Sequence, residues 1–316
     1  MPKVSVVIPV YGVEKYIERC ARSLFAQTLD DIEYIFVNDC TKDRSIDILN
    51  AVINDYPARK DQVRIIHHEK NKGLPFARQS GWQVATGEYI ANCDSDDWVA
   101  LDFYEIMYNE AIEKNADMVV SDYILVEGES KRQMCGLRDV NASKEDIIKD
   151  MMYMRTPWNI WNRLLRRDLL AQFEEFPQKY MAEDMAITFP LYIKCNVIAY
   201  CQNACYFYDL RIDTASHQTS LEGVVKNYKE ITENFAIVQR FYSKEDKKGT
   251  YKRALNNVHF FHIMSLLPYI KEKEVRQLLR ECPLSVFYYM ITDRKAKTTR
   301  RKKAFKLLMK RLLGFI

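Results

Sequence analysis

The stretch Tyr89-Ile90-Ala91-Asn92-Cys93-Asp94-Ser95-Asp96-Asp97-Trp98 runs from a short apolar segment straight into three carboxylates within four residues. Gly87 and Glu88 punctuate its start, and apolar residues return in helical spacing after Leu101. This order predicts a strand, an acid-bearing loop and then a helix. In an open α/β sheet, ligands bind at the carboxyl ends of the strands, which is where the acids fall. Like charges this close raise one another's pKa unless a cation or hydrogen bonds offset them. A divalent ion with oxygen ligands, Mg²⁺ or Mn²⁺, is the economical partner, since it takes one or two carboxylates and completes its shell with phosphate and water. The structural alternative is a solvated acidic loop with Asp97 capping the next helix.

Working outward, the residues before this stretch alternate between two patterns. Lys3-Val4-Ser5-Val6-Val7-Ile8-Pro9-Val10 is a nearly continuous β-branched run, the mark of a strand buried on both faces of a parallel sheet. Val13, Ile17, Cys20, Ala21, Leu24 and Phe25 then follow the helical period up to Gln27. A second strand, residues 32–37, ends in the polar turn Asn38-Asp39-Cys40-Thr41-Lys42-Asp43-Arg44-Ser45, which opens a helix over Ile46, Leu49 and Ile53. A third strand, residues 63–67, leads to Asn71-Lys72-Gly73-Leu74-Pro75-Phe76-Ala77-Arg78. Pro75 suits the first turn of a helix reaching about Thr86, which Gly87 would terminate. Such alternation implies right-handed parallel βαβ units, an α/β fold. No strand is followed by a dinucleotide-binding glycine motif or a P-loop, which argues against nicotinamide, flavin or P-loop ATPase chemistry.

Downstream, residues 117–123 read as a further strand, residues 127–141 as a polar surface excursion, and Ser143 with Asp146 as a capping box before Ile147 and Ile148. Trp158 to Leu164 follows, then the acid pair Glu183-Asp184 before an apolar helical run, a last strand over 197–208 and a polar loop from Arg211 to Ser220. Beyond Glu222 only helical periodicity remains, with helices expected over 222–243, 250–270 and 272–281, and there are no internal repeats.

Composition fits a folded soluble chain: 316 residues, 48% hydrophobic and 28% charged. No apolar run approaches the roughly 20 residues of a membrane-spanning helix, and the N-terminus enters a strand pattern without a signal-peptide layout, so the expected location is the cytosol. The eight cysteines are scattered, mostly among apolar neighbours. Cys195, Cys201 and Cys205 match no zinc spacing and have no accompanying histidine. The net charge of +4 conceals an asymmetry: residues 294–316 hold ten Lys or Arg and no acid, leaving 37 basic against 43 acidic residues, a net of −6, elsewhere. Any polyanion contact therefore belongs to the tail. Within it, Phe305, Leu308, Met309, Leu312, Leu313 and Ile316 share one helical face against Lys302, Lys303, Lys306 and Lys310, with Leu307 on the wrong side. Such a helix can lie in an anionic membrane interface or pack on its own domain; the confinement of positive charge to the tail argues against nucleic acid.

Taken together, the opening Val-Ser-Val-Val-Ile-Pro-Val-Tyr, Asn38-Asp39, Asn71-x-Gly73-x-x-x-Ala77-Arg78, Gly87-Glu88-Tyr89-Ile90 leading into Asp94-Ser95-Asp96-Asp97, Trp161-Asn162-Arg163-Leu164 and Glu183-Asp184 resemble the inverting family 2 glycosyltransferases of GT-A fold. The resemblance covers about residues 3–215. It implies a GT-A domain over 1–220 and transfer of a sugar from a nucleotide diphosphosugar to a glycan or lipid-linked acceptor; on residues 221–316, which periodicity alone makes a helical extension, the family gives no guidance. By resemblance, Asp96 or Asp97 would hold the metal, and Asp94 would approach the ribose or share the metal through water. Pro9 and Tyr11 would wall the base, Asp39 would accept from a ring N–H as suits uracil, and Arg78 would lie near the donor phosphates. Asp184 would be the general base and Glu183 would orient the acceptor or a loop. Arg211 or His217 would fall in the family's donor-closing segment. Trp158 and Trp161 read first as packing residues, with sugar stacking the alternative. Departures are Asn38 where Asp is common, Cys40-Thr41 for the usual Gly-Ser, and Gly12 for a frequent Asn. The readings set against this one are a nucleotidyltransferase, which should bring a Gly-rich basic loop after the first strand, and a non-catalytic nucleotide- or carbohydrate-binding module.

Overall fold

The computed structural model of the chain describes residues 1–210 and 220–316, so Arg211 and His217 lie outside the described residues. Strand β1 (Val4–Val10) is buried at every position, as its β-branched sequence requires of a central strand. Strands β2 (Ile32–Asn38) and β4 (Tyr89–Asn92) flank it in parallel, and β3 (Val63–His67) extends the sheet beyond β2. Helices α1 (Ile17–Phe25), α2 (Ser45–Asp55) and α3 (Leu74–Val84) make the crossovers. Side chains of β1 alternate between two cores: Val4, Val6 and Ile8 join Ile17, Leu24 and Leu49, whereas Val7 joins Ala77 and Trp82 of α3.

Two local expectations shift for identifiable reasons. Helix α1 starts at Ile17, not Val13, because the preceding N–H groups are held by the neighbouring loop. Gly12 N–H donates to Thr41 Oγ1 (2.9 Å), Val13 N–H to Ser45 Oγ (3.1 Å) and Glu14 N–H to Asp43 Oδ2 (2.9 Å). Gly87 does not terminate α3, which ends at Val84 with Ala85 already extended. Instead it lies against β1, where an added Cβ would sit 2.5 Å from the Ser5 nitrogen.

After β4 the strict alternation stops. The elements are β5 (Trp98–Val99), α4 (Phe103–Glu113), β6 (Met118–Glu127), β7 (Ser130–Met134), α5 (Lys144–Met152), β8 (Arg163–Arg166), α6 (Glu183–Lys194) and β9 (Ile198–Asp209). The sheet order is β3-β2-β1-β4-β8-β6-β9-β5, with β7 beside β6. Strand β8 enters antiparallel between β4 and β6, while β9 runs parallel to β6. A four-residue strand carries no directional signal in its alternation, and its direction follows from where the preceding segment delivers the chain. The polar excursion over 127–141 contains β7, the outer strand of a hairpin turned at Gly128 (φ +59°). Its exposure at residues 130–133 gives it a loop-like composition.

Helices α7 (Leu221–Glu245) and α8 (Lys252–Ile263) bring Phe235, Val238, Tyr242 and Val258 into the core shared with α5 and α6. Helices α9 (Lys273–Glu281), α10 (Leu284–Thr292) and α11 (Thr298–Leu312) gather Phe260, Val275, Phe287, Ala304 and Leu307 into a separate cluster. Helix α11 packs through Leu307, the residue off its apolar face, together with Ile316 just beyond the helix and part of Leu308, while Phe305, Met309, Leu312 and Leu313 are exposed. No helix among the described residues is long and apolar enough to cross a membrane.

Candidate active site

The carboxyl ends of β1, β2 and β4 and the start of α3 surround a cleft of about 400 Å³. Pro9, Tyr11, Asp39, Asp94, Ser95 and Asp96 all line it, together with Asn71, Gly73 and Tyr180. Asp97 does not. It is 1% exposed, its Oδ1 accepts from the Asp209 backbone N–H (2.9 Å) and its Oδ2 from the Tyr206 hydroxyl (2.8 Å). Nor does it cap α4, whose N-cap position is Asp102. Burial, then the nearby Asp96 and Asp94 charges, push the Asp97 carboxyl up, opposed by those two hydrogen bonds. The Tyr206 hydroxyl also accepts from the Asp94 N–H (3.1 Å), so Asp97 fixes the loop that presents Asp94 and Asp96. From the other side, Arg19 donates to the Asp96 carbonyl (2.7 Å) and Asp209 Oδ2 (2.6 Å), and its guanidinium lies 3.7 Å from the Trp98 ring centroid.

Asp39 is the hinge of the cleft's other wall. Its Oδ1 accepts from Lys72 N–H (2.8 Å) and bonds His68 Nδ1 (2.7 Å), and its Oδ2 accepts from Gly73 N–H (2.7 Å). His68 Nε2 in turn meets Ser80 Oγ at 2.9 Å. Three of the roughly four lone-pair sites of the carboxylate are thus used to hold the loop that starts α3. Gly73 needs its φ of +93° to bring that N–H round. The departures at Gly12 and Cys40 also acquire a physical meaning, because both have left-handed backbones (φ +68° and +59°). Gly and Asn tolerate that region, whereas Cys adopts it under strain.

Arg78 lies below the cleft floor at 1% exposure, not open to it. Its Nη2 donates to Asp94 Oδ1 (2.6 Å) and its Nη1 to Asp184 Oδ1 (2.8 Å), with Glu183 Oε1 also 2.8 Å from Nη1. The residue therefore bridges the acid at the end of β4 and the acid pair at the start of α6. Burial opposes its charge, but Glu183, Asp94 and Asp184 hold it firmly protonated. One cation cannot balance three carboxylates, and the acids respond unequally. The Glu183 side chain is 5% exposed and its Oε2 finds no hydrogen-bond partner among the described residues. Burial, against the pull of Arg78 but with Asp184 and Asp94 adding, pushes its pKa well up. Asp94 is pushed up to about 6 by burial, with Arg78 opposing and Asp96 adding. Asp94 and Asp184 side chains keep 25% and 23% exposure. Asp184 is not a side-chain cap, since the N-cap position of α6 is Ala182.

A second cavity, about 320 Å³, opens over Asp184 and is walled by Arg78, Tyr123, Trp158, Trp161 and Tyr208. It meets the first at Leu74, Asp94 and Tyr180. Trp161 is buried, stacked on Tyr206 (4.4 Å) and Tyr208 (5.3 Å), as the packing reading requires. Trp158 packs edge-on to Phe189 and still reaches the cavity wall. Tyr180, His68 and Tyr206 were not singled out from sequence: each is a lone aromatic or histidine in no recognisable spacing. Among the described residues no group of three or more His, Cys, Asp or Glu side chains is arranged to cage a metal. The hard-oxygen pair Asp94 and Asp96 at the cleft fits an ion that draws its remaining ligands from phosphate and water.

Residues 5–170, more than half of the chain, match the family described as glycosyl transferase family 2, and the chain belongs to that family. It is 33% identical over 177 residues to EpsJ of Bacillus subtilis, an uncharacterized glycosyltransferase. The match covers 54% of this chain and 50% of EpsJ, so the chain spans about half the length of that curated relative. The fold is similar to that of S. aureus TarS residues 1–349 solved with UDP-GlcNAc: TM-score 0.62, 18% identity, 99% of this chain and 92% of that one. It also resembles the mannosyltransferase PcManGT of Pyrobaculum calidifontis in complex with GDP-Man and Mn²⁺, with TM-score 0.54, 14% identity, and 98% and 87% coverage. At such identities the likeness is one of fold.

Proposed function

We propose that the chain is an inverting glycosyltransferase that moves a sugar from a UDP-linked donor to a hydroxyl of a glycan or lipid-linked saccharide, with Mn²⁺ or Mg²⁺ at Asp96 and Asp94. The observation that carries this reading is the meeting of two cavities at Asp94 and Tyr180, with Arg78 joining the acid of one to the acid pair of the other. In-line displacement needs this layout, a donor site and an acceptor site sharing one edge where the reacting carbon lies.

The nucleoside occupies the first cleft, between Pro9 and Tyr11 at the end of β1 and Asp39, whose remaining lone-pair site suits a uracil ring N–H. The bound ion, as a Lewis acid, would offset charge growing on the departing diphosphate. The acceptor oxygen bonds to the anomeric carbon from the second cavity as the bond to the diphosphate oxygen breaks, and Asp184 takes the acceptor's proton. Arg78 holds the Asp184 carboxylate in place, and Glu183, largely buried, supports Arg78. A lipid-linked acceptor would put this reaction at the cytoplasmic face of a membrane. A screen of nucleotide sugars with Mn²⁺, Mg²⁺ or chelator tests the reading. The expected result is release of UDP from one UDP-sugar only when metal is present; equal release with chelator, or none from any donor with either metal, overturns it.

A further inference from the structure

Helix α11 packs through one narrow face. Arg300, Ala304 and Leu307, spaced by three and four residues, are buried. The arginines are consumed in anchoring: Arg300 stacks over Phe261 (5.1 Å) and donates to Asn257 Oδ1 (3.3 Å), Arg301 donates to the Ile291 carbonyl (2.9 Å) and Arg311 to the Leu279 carbonyl (3.3 Å). What remains outward is unusual for a packed helix. Phe305 is 56% exposed, Leu312 and Leu313 63% and Phe315 69%, with Met309 beside them. Lys302 and Lys306 run along this apolar stripe at helical spacing, and Lys303 is also exposed.

From this arrangement we infer that the outer face of α11 is a docking surface for an anionic lipid bilayer, with Phe305, Met309, Leu312, Leu313 and Phe315 entering the interface and the lysines meeting the headgroups. Charge complementarity selects the occupant. With ten Lys or Arg and no acid in residues 294–316, a second copy of the chain would set like charges face to face. Nucleic acid would satisfy the lysines but leave the aliphatic and aromatic stripe in water, whereas a bilayer interface covers both. The division of labour between side chains supports this. Arginines, whose fork suits several carbonyl acceptors, face the protein, and lysines, which can extend along apolar surface to reach a headgroup, face out.

The inference is independent of donor chemistry and is tested with the full chain and sedimenting vesicles of phosphatidylcholine, with or without phosphatidylglycerol. The expected result is cosedimentation with the anionic vesicles, weakening by about tenfold or more when salt screens the surface or when phosphatidylglycerol is left out. Two double variants at exposed positions, Leu312→Ser with Leu313→Ser and Lys302→Ser with Lys306→Ser, should each lower binding by about tenfold while leaving the melting temperature unchanged. Absence of the wild type from anionic vesicle pellets overturns the proposal. So does unchanged binding of the leucine variant, or binding to duplex DNA that matches vesicle binding and survives the leucine substitutions.

Discussion

The acids at the end of β4 and those at the start of α6 are built alike but held differently. Each pair divides into a more open carboxyl and a buried one: Asp96 against Asp97, and Asp184 against Glu183, which also borders the second cavity. Asp97 is held by neutral donors, the Tyr206 hydroxyl and the Asp209 N–H, so its loop is braced within one wall of the cleft. Glu183 meets a cation, and that cation also holds Asp94 across the cleft. The first pair is therefore rigid by local hydrogen bonding. The second is positioned by a charge it shares with Asp94, so the two cavities cannot be perturbed separately at Arg78.

The largest effect should come from removing that shared charge. Arg78→Ala leaves three carboxyls facing one another with no counter-ion, and breaking a buried pair costs about 3–5 kcal/mol. Against a typical domain stability of about 5–15 kcal/mol this is a deep cut, visible as a large drop in melting temperature. Arg78→Lys should recover little of it, because a single ammonium cannot span acids on two sides. A small drop for Arg78→Ala would mean that the two acid sites are held independently.

Contrasting substitutions in the first pair should separate ligand binding from bracing. Asp96→Ala should abolish metal-dependent UDP binding in calorimetry with little loss of stability. Asp97→Asn should lower stability by about 1–3 kcal/mol, since its amide faces two donors with only one acceptor, yet retain measurable metal-dependent binding. Equal binding losses in both variants would place both acids in the ligand site.

Titration sharpens the same contrast. With its carboxyl raised to about 6, Asp94 is partly protonated near that pH. Metal-dependent UDP affinity should therefore fall as pH drops through about 6, and this inflection should vanish in Asp94→Asn. Stability of the unliganded chain should change in the opposite sense. The folded state holds this proton more tightly than the unfolded state, whose carboxyl titrates near 3.9, so the Asp94 contribution makes the protein less stable as pH rises between the two values. An affinity flat from pH 5 to about 7 would contradict the raised value. The smallest effect lies at the neighbouring loop: Cys40→Gly should raise stability by about 1 kcal/mol by relieving the left-handed backbone there, measurable by denaturant unfolding.

The parallel half was legible because its strands are buried on both faces and announce themselves as β-branched runs separated by helical spacing, as in residues 3–10 and 63–67. The region after β4 was less so. Two-residue β5 is too short to show a period, polar β7 looks like loop, and the direction of β8 depends on long-range pairing of its Leu164 and Leu165 with Ala91 and Ile90 of β4 and with Val119 and Met118 of β6. At the site, sequence position brought Pro9, Tyr11, Asp39, Asp94, Ser95 and Asp96 to one cleft. It could not distinguish Asp96 from Asp97, since their difference rests on Tyr206 and Asp209, more than a hundred residues away. Which side of α11 packs was not legible for a related reason. Arg300, Arg301 and Arg311, which carry no apolar signal, anchor the helix, and Leu307 between them is buried with Arg300 and Ala304.

The most direct test of the two-pair account compares Asp184→Asn with Glu183→Gln, measuring transfer rate at saturating donor and UDP affinity side by side. Asp184→Asn should lower transfer by about 10² or more with donor affinity nearly unchanged, the scale expected on losing a general base. Glu183→Gln should stay within about tenfold of wild type, because burial disfavours the charge on that carboxyl and the amide preserves its shape and an acceptor oxygen for Arg78. Near-normal transfer by Asp184→Asn, or a Glu183→Gln loss as large as the one expected at Asp184, would contradict the assignment of the more open acid to proton transfer and the buried acid to support.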